Sequence, residues 1–364
     1  MPEADRFARR LLRQAVATPS PSGAEADVAA VLADAMRDRV DAVELDRVGN
    51  LRVRHGHGPT RLLFLGHLDT VAGAIPVDER DGALYGRGAV DAKGSLCAAL
   101  AAVARASAEV RAGLTLEVVG AVGEEAPGSV GARHLASTLP APDLLIVCEP
   151  SGWERVTLGY KGHLRLHLTS ERPSGHAAGP EPSAADRVVE AVASFRAACA
   201  ALDGDAELRA FDALQVTVLD LGHEHDGLRE RAQATLGVRL PPAWPAGRLL
   251  DRLDEAWRPD GVDIEVLESV DAVRGPKDGP LPRAFRSAIR AAGGRPGSVV
   301  KTGTSDWNVV AERWSVPGLA YGPGDAALDH TPNEHLDLTA YDAAISVLVS
   351  VLERVAGARP GAHA

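Results

Sequence analysis

The chain has 364 residues, 45% hydrophobic and 24% charged, an ordinary balance for a folded protein and enough length for two domains. Its formal net charge of -11, from 39 Lys+Arg against 50 Asp+Glu, argues against a general nucleic-acid binder. Three widely spaced cysteines without a CxxC pair, a charged N-terminus and no apolar run near the ~20 residues of a membrane span predict a cytoplasmic protein with no membrane segment.

In chain order, helical spacing over about Asp5 to Ala17 is broken by Thr18-Pro19-Ser20-Pro21-Ser22-Gly23. Ser22 and Glu25 fit a capping box that starts a second helix running to about Met36. Val43 to Val53 and Arg61 to Gly66 read as strands. The second of these opens on Leu62-Leu63-Phe64-Leu65 and delivers His67 and Asp69, which alternation places on one side. A glycine-punctuated loop, Leu84 to Gly94, leads into an alanine-rich helix from about Ser95 to Ala106. Strands over Leu114 to Val122 and Asp143 to Cys148 end at Glu124-Glu125 and at Glu149, with a helix near Ser129 to Ser137 between them. This alternation predicts an α/β sheet with helices on both faces.

The pattern changes after Trp153. A long strand-like run over Val156 to Ser170 precedes a helix at Ala184 to Ala198 and strands at Leu214 to Leu221 and Ala234 to Leu240. A helix at Gly247 to Trp257 and a strand at Val262 to Ser269 follow. The order βαββαβ is that of a ferredoxin-like unit. It predicts an inserted domain over 157–272 within a discontinuous α/β domain formed by 1–156 and 273–364. From Pro280 the α/β pattern resumes: helix Pro282 to Ala292, strand Ser298 to Lys301, a helix from about Ser305, strand Val316 to Tyr321, and a last helix Thr339 to Val355 before a disordered tail.

Several strand ends of the first domain thus deliver His67 and Asp69, Asp91, Glu124-Glu125 and Glu149, and His330 comes late. Taken singly, each also fits a plain structural role. Asp91 can cap the helix after it, Glu124 and Glu125 can form a solvated loop end, and His330 can be an ordinary loop histidine. Taken together, carboxylates and histidines at the C-terminal ends of one sheet converge on one crevice, and such a cluster needs a cation. Mixed His/Asp/Glu donors without thiolates suit Zn²⁺, and Mn²⁺ and Co²⁺ also fit.

The motifs Gly66-His67-Leu68-Asp69-Thr70 and Gly86-Arg87-Gly88-Ala89-Val90-Asp91-Ala92-Lys93-Gly94 resemble the two signatures of the co-catalytic zinc deacylases and peptidases. That family includes acetylornithine deacetylase, succinyl-diaminopimelate desuccinylase and glutamate carboxypeptidase. The resemblance spans nearly the whole chain. It implies a zinc-peptidase-like three-layer catalytic domain, a ferredoxin-like dimerisation or lid domain, a homodimer, and two Zn²⁺ per subunit. It further implies that Asp91 bridges the two ions and precedes a cis peptide to Ala92. His67 and Glu149 complete one ion's donors, Glu125 and His330 the other's. Asp69 orients His67, and Glu124 is the general base.

In the second domain, the resemblance implies oxyanion stabilisation by His176 in the partner's active site, with Ala177 in place of the family's frequent serine. It implies a substrate-carboxylate contact for Arg239, although a solvated strand-edge arginine fits that position nearly as well. Lys301, Gly303, Thr304 and Ser305 resemble a substrate loop, and Thr304 and Ser305 stand where they can cap the following helix. Gly159-Tyr160-Lys161-Gly162, the Lys301 to Asp306 loop and the stretch from Tyr321 to Pro332 are most similar to hydrolases that free lysine or ornithine from an amino-group carrier protein. The arginines between Arg283 and Arg295 are candidates for docking such a carrier. Acetylornithine deacetylase or small-dipeptidase activity is the alternative, and an inactive metal-binding dimeric scaffold a further one.

Overall fold

The computed structural model describes residues 2–176, 178–204, 210–257 and 259–357; Ala177 and the tail beyond 357 lie outside them. The chain divides into two compact units, Met1–Gly159 with Gly275–Val300 and Ser305–Ala364, and Tyr160–Arg274 with Lys301–Thr304.

In the first unit, apolar residues at helical spacing (Phe7, Leu11, Leu12, Val16) bury one face of the Glu3–Ala17 helix. It stops at Thr18, whose helical conformation Pro19 disfavours. A mixed sheet then runs in the order Ala42–Leu45, Leu51–His55, Leu114–Ala121, Thr60–His67, Leu144–Val147, Gly318–Ala320, Arg155–Tyr160. Thr60–His67 pairs in parallel with both Leu114–Ala121 and Leu144–Val147. The C-terminal ends of these three strands therefore reach one edge, with His67 level with Ala121 and Leu65 level with Val147.

Both faces of that central strand are covered, since every residue from Leu62 to His67 is buried. Leu62 and Phe64 join one apolar core with the wholly buried helix Lys93–Val103 and the helix Leu338–Gly357. By alternation Leu63, Leu65 and His67 face the other way, the side on which the Asp306–Ala311 helix meets the strand. This is the expected three-layer α/β arrangement. Gly66 and Gly120 lie side by side in the register, and a Cβ on Gly66 would stand 2.8 Å from that of Cys148. Only glycine lets the strands close at this edge.

Two local expectations are corrected. The helix expected from a Ser22–Glu25 capping box begins at Ala26, with Glu25 in helical conformation at the cap and no side-chain cap bond. Ser22 is drawn away because the buried carboxylate of Asp69 needs donors more than a helix end that water can reach. The Val43 to Val53 run is two antiparallel strands, Ala42–Leu45 and Leu51–His55, joined by a turn in which the Asp46 carboxylate accepts the N–H groups of Val48, Gly49 and Asn50. Ser305 does cap the Asp306–Ala311 helix, in a capping box with Asn308.

The second unit has the order strand Gly162–Pro173, helix Ala184–Asp203, strands Gln215–His225 and Arg229–Leu240, helix Ala246–Ala256, strand Asp263–Val270. All strand pairs are antiparallel, with Gly162–Pro173 and Arg229–Leu240 at the centre. This is a ferredoxin-like βαββαβ sheet. Leu164, Leu166, Leu168, Leu236 and Val238 pack beneath Val188, Phe195, Leu249 and Trp257. The alternate residues, His163, Arg165, His167, Thr235 and Arg239, line the opposite face. The strand-like run beginning at Val156 is broken at Lys161, whose buried ammonium donates to the carbonyls of Ala210 and Ala213.

Candidate metal centre

The parallel register carries three chemistry-bearing segments to one sheet edge. His67 ends its strand, Glu124-Glu125 follows Leu114–Ala121, and Glu149 follows Leu144–Val147. Asp91 stands two residues before the Lys93–Val103 helix, and its peptide bond to Ala92 is cis. His330 sits in a turn after Ala326–Leu328 with φ 62°, a left-handed conformation that side chains other than glycine adopt rarely.

These residues meet in two groups that share Asp91. His67, Asp91 and Glu149 offer donor atoms all within 4.8 Å of one another, as do Asp91, Glu125 and His330. His67 Nε2 lies 3.3 Å from Asp91 Oδ1 and 3.8 Å from Glu149 Oε1. On the other side His330 Nε2 lies 3.1 Å from Asp91 Oδ2 and 2.8 Å from Glu125 Oε1. The two oxygens of Asp91 therefore face different histidines. Imidazole and carboxylate donors without thiolate are the donor types that suit a divalent cation such as Zn²⁺ in each group.

The electrostatics show a site short of positive charge. Burial pushes the Glu124 carboxyl well up; the imidazole of His67 opposes this, and the neighbouring carboxylates of Asp306, Glu149 and Glu125 add to it. Burial likewise pushes Asp306 up to about 7. Hydrogen bonds to Asp91 and Glu125 raise His330 to about 10. Burial works to lower His67, but its bonds to Asp69 and Asp91 override it and hold the imidazole well above its usual range. Charge that the two histidines supply by protonation is charge a bound cation would supply instead.

Asp69 is fully buried and does more than face His67. Its Oδ1 lies 3.4 Å from His67 Nδ1, while the same nitrogen is 2.9 Å from the Asp69 carbonyl. Oδ1 also accepts the N–H of Glu124 at 3.0 Å, and Oδ2 accepts the N–H of Glu125 at 2.9 Å and the Ser22 hydroxyl at 2.7 Å. Burial works to raise this carboxyl, yet His67, Ser22 and the Glu125 N–H hold it at about 2. Glu25 supports the same turn, its Oε1 accepting the N–H of Gly123 at 3.1 Å. Ser22 and Glu25 escape a sequence reading because their S-x-x-E spacing has a sufficient local meaning, a helix cap. Arg87, inside the motif that carries Asp91, and Glu334, which the sequence does not connect to it, form an ion pair at 2.8 Å beside the Asp91 loop.

The remaining candidates are not members of these donor groups. In the second unit Arg239 Nη1 donates to Thr304 Oγ1 at 2.8 Å, and that hydroxyl donates to the Lys161 carbonyl at 3.1 Å. Two expected substrate residues are thus brought together. Lys301 Nζ stands 5.9 Å from the Tyr160 ring centre, and nothing would crowd a side chain at Gly303. His176 is exposed, and its Nδ1 accepts the N–H of Ala178 at 3.1 Å. Ser305, in the first unit, is buried, and its hydroxyl accepts the N–H of Trp307.

Comparison with known proteins agrees with the fold. Residues 63–354 match peptidase family M20/M25/M40. The chain is 48% identical over 358 residues to the LysW-lysine hydrolase of Deinococcus radiodurans, covering 96% of this chain and 97% of that one. It is 35% identical over 353 residues to a putative LysW-lysine/LysW-ornithine hydrolase of Thermococcus kodakarensis, covering 96% and 92%. Among solved structures, the aminopeptidase PepT of Bacillus cereus aligns with a TM-score of 0.78 at 19% identity, covering 97% and 99%. The M20 metallo-carboxypeptidase Sso-CP2 of Sulfolobus solfataricus aligns at 0.73 and 18%, covering 98% and 100%.

Proposed function

The chain belongs to peptidase family M20/M25/M40 and is a metal-dependent hydrolase of an amide bond, and from that premise we propose that it releases lysine, or ornithine, from a γ-glutamyl-linked LysW carrier protein. The substrate assignment leans on one observation, the similarity to the Deinococcus protein over nearly the full length of both chains. The alternative, a small-molecule deacylase of the acetylornithine type, leans on the fold alone, which many chemistries share.

Two Zn²⁺ ions per subunit are the cofactors of this reading, with Co²⁺ or Mn²⁺ as substitutes. His67, Asp91 and Glu149 hold one and Asp91, Glu125 and His330 the other. When bound, such ions supply Lewis acidity that activates water and polarises the scissile carbonyl. Glu124 does the proton work. Its carboxylate takes a proton from the attacking water as the C–O bond forms. It delivers that proton to the leaving α-amine as the C–N bond breaks, yielding a free carboxylate and the amino acid. Asp69 holds the Glu124 backbone still during both transfers. His176 donates to the developing oxyanion, and Arg239 with Thr304 receives the substrate carboxylate. The reading includes a homodimer, whose partner subunit supplies the histidine at each site.

Three buried free cysteines fit a reducing cytoplasm, and no helix among the described residues is long and apolar enough to cross a membrane. Arg283, Arg290 and Arg295 are exposed and offer a basic face to the carrier.

The test compares two substrates on zinc-loaded protein: LysW bearing γ-linked lysine, and N-acetylornithine. Lysine release from the carrier with little deacetylation is expected. Deacetylation alone would overturn the carrier reading in favour of the small-molecule one.

A further inference from the structure

Arg87 and Glu334 are 247 residues apart in sequence and meet as a buried ion pair, Nη1 to Oε2 2.8 Å, with side chains 14% and 1% exposed. The second oxygen of Glu334 points at the chain that carries Asp91. Oε1 accepts the N–H of Val90 at 2.9 Å and of Asp91 itself at 3.1 Å. The Glu334 carbonyl accepts the N–H of Gly86, at the start of the same loop. Arg87 also donates from Nη1 to the carbonyl of Thr331 at 3.3 Å and from Nε to that of Gly73 at 3.0 Å. Thr331 directly follows His330, whose φ of 62° is uncommon outside glycine. A turn in that conformation keeps it only where its neighbours are pinned.

We propose that the Arg87–Glu334 pair is a positioning unit for the metal centre: Glu334 fixes the backbone bearing Asp91, and Arg87 fixes the turn presenting His330. Asp91 and His330 come from segments far apart in sequence yet belong to one donor group. A single ion pair touching both segments sets their separation. Neither Arg87 nor Glu334 offers an atom to either donor group that shares Asp91. A buried ion pair is a weak source of net stability, because desolvation offsets the Coulomb gain. Its geometric role is therefore the better account of its presence. The proposal rests on the metal-binding reading of these residues.

The test uses the full chain, stripped of metal and titrated with Co²⁺ against a chromophoric chelator. Wild type, Glu334→Gln, Glu334→Ala and Arg87→Lys are compared for affinity, Co²⁺ absorption spectrum, melting temperature of the metal-free form, and kcat and KM. Glu334→Ala is expected to bind Co²⁺ roughly 10–100-fold more weakly, with an altered spectrum. Its kcat should fall while KM holds. Glu334→Gln should recover part of the affinity, since Gln Oε1 can still accept the Val90 and Asp91 N–H groups. Arg87→Lys should weaken binding too, because one ammonium does not reproduce the guanidinium fork. If Glu334→Ala does not fold, Glu334→Gln and Arg87→Lys decide. Weakened Co²⁺ binding at an unchanged metal-free melting temperature supports the proposal. Wild-type affinity and spectrum in the variants that fold would overturn the positioning role alone. A wild-type chain that binds no Co²⁺ would overturn the metal-centre reading and this proposal together.

Discussion

The carboxylate of Asp69 accepts the backbone N–H of Glu124 at 3.0 Å, so a side chain beside one metal-ligand candidate holds the main chain of the proposed base. The neighbouring N–H, that of Glu125, bonds to the other oxygen of the same carboxylate. Asp69 thereby links His67, Glu124 and Glu125 in one buried group.

Asp69→Asn tests that link. An amide offers one acceptor oxygen where two are used, and its NH₂ would face a backbone N–H. Activity and metal affinity are each expected to fall roughly 10–100-fold, the usual cost of losing a group that orients metal ligands. Metal content after dialysis and steady-state kinetics on the same preparation check this. Wild-type values in both would show that Glu25, through the Gly123 N–H, holds the turn without Asp69.

Glu124→Gln separates base from ligand. Glu124 is outside both donor groups that share Asp91, although its carboxylate also lies within 4.8 Å of donor atoms of His67 and Glu125; with both Asp91 groups intact, two ions should remain bound. Loss of the proton acceptor should lower kcat by roughly 10²–10⁴-fold. Metal analysis together with turnover of the carrier-linked substrate reads both halves. Equal loss of metal and of activity would make Glu124 a ligand instead.

Arg239→Lys probes the second unit. The Arg239 guanidinium bonds to Thr304 and is proposed to receive the substrate carboxylate. A lysine keeps the charge and loses the planar fork. KM is expected to rise roughly tenfold or more, the scale of one charged hydrogen bond, with metal content unchanged. An unchanged KM would return Arg239 to a structural role.

His163 predicts a pH effect on stability. It pairs in register with Arg239, and burial, with the charges of Arg239 and Arg165, lowers it to about 4 from the usual 6.5. Between those values the unfolded chain takes up a proton that the folded chain refuses. Stability from this group is present above pH 6.5 and is lost as pH falls toward 4. Denaturant unfolding of His163→Gln at several pH values should show a flatter decline than wild type across that window. Parallel curves would mean that His163 becomes charged in the fold.

Several elements and candidate residues were legible in the sequence because their signals are local. The strand through Phe64, the alanine-rich helix after Asp91 and the βαββαβ insertion are periodic patterns within one segment. His67, Glu124-Glu125 and Glu149 were candidates because each follows an apolar run, and parallel strands bring such ends to one edge.

What only the tertiary structure decided is which polar groups serve which. Ser22 and Glu25 carry a capping pattern, yet they bond to Asp69 and Gly123. The motif around Arg87 does not name its partner, and Glu334 reads as an ordinary loop charge, yet the two form an ion pair with side chains 14% and 1% exposed. The reason is energetic. A sequence pattern reports interactions among residues a few positions apart. A buried carboxylate left without donors costs more than a frayed helix end that water can satisfy. Packing brings the strand end at Asp69 against the Ser22 turn, and the buried acceptor then takes the hydroxyl. The local spacing of Ser22 and Glu25 held both uses, and only the long-range contact chose between them.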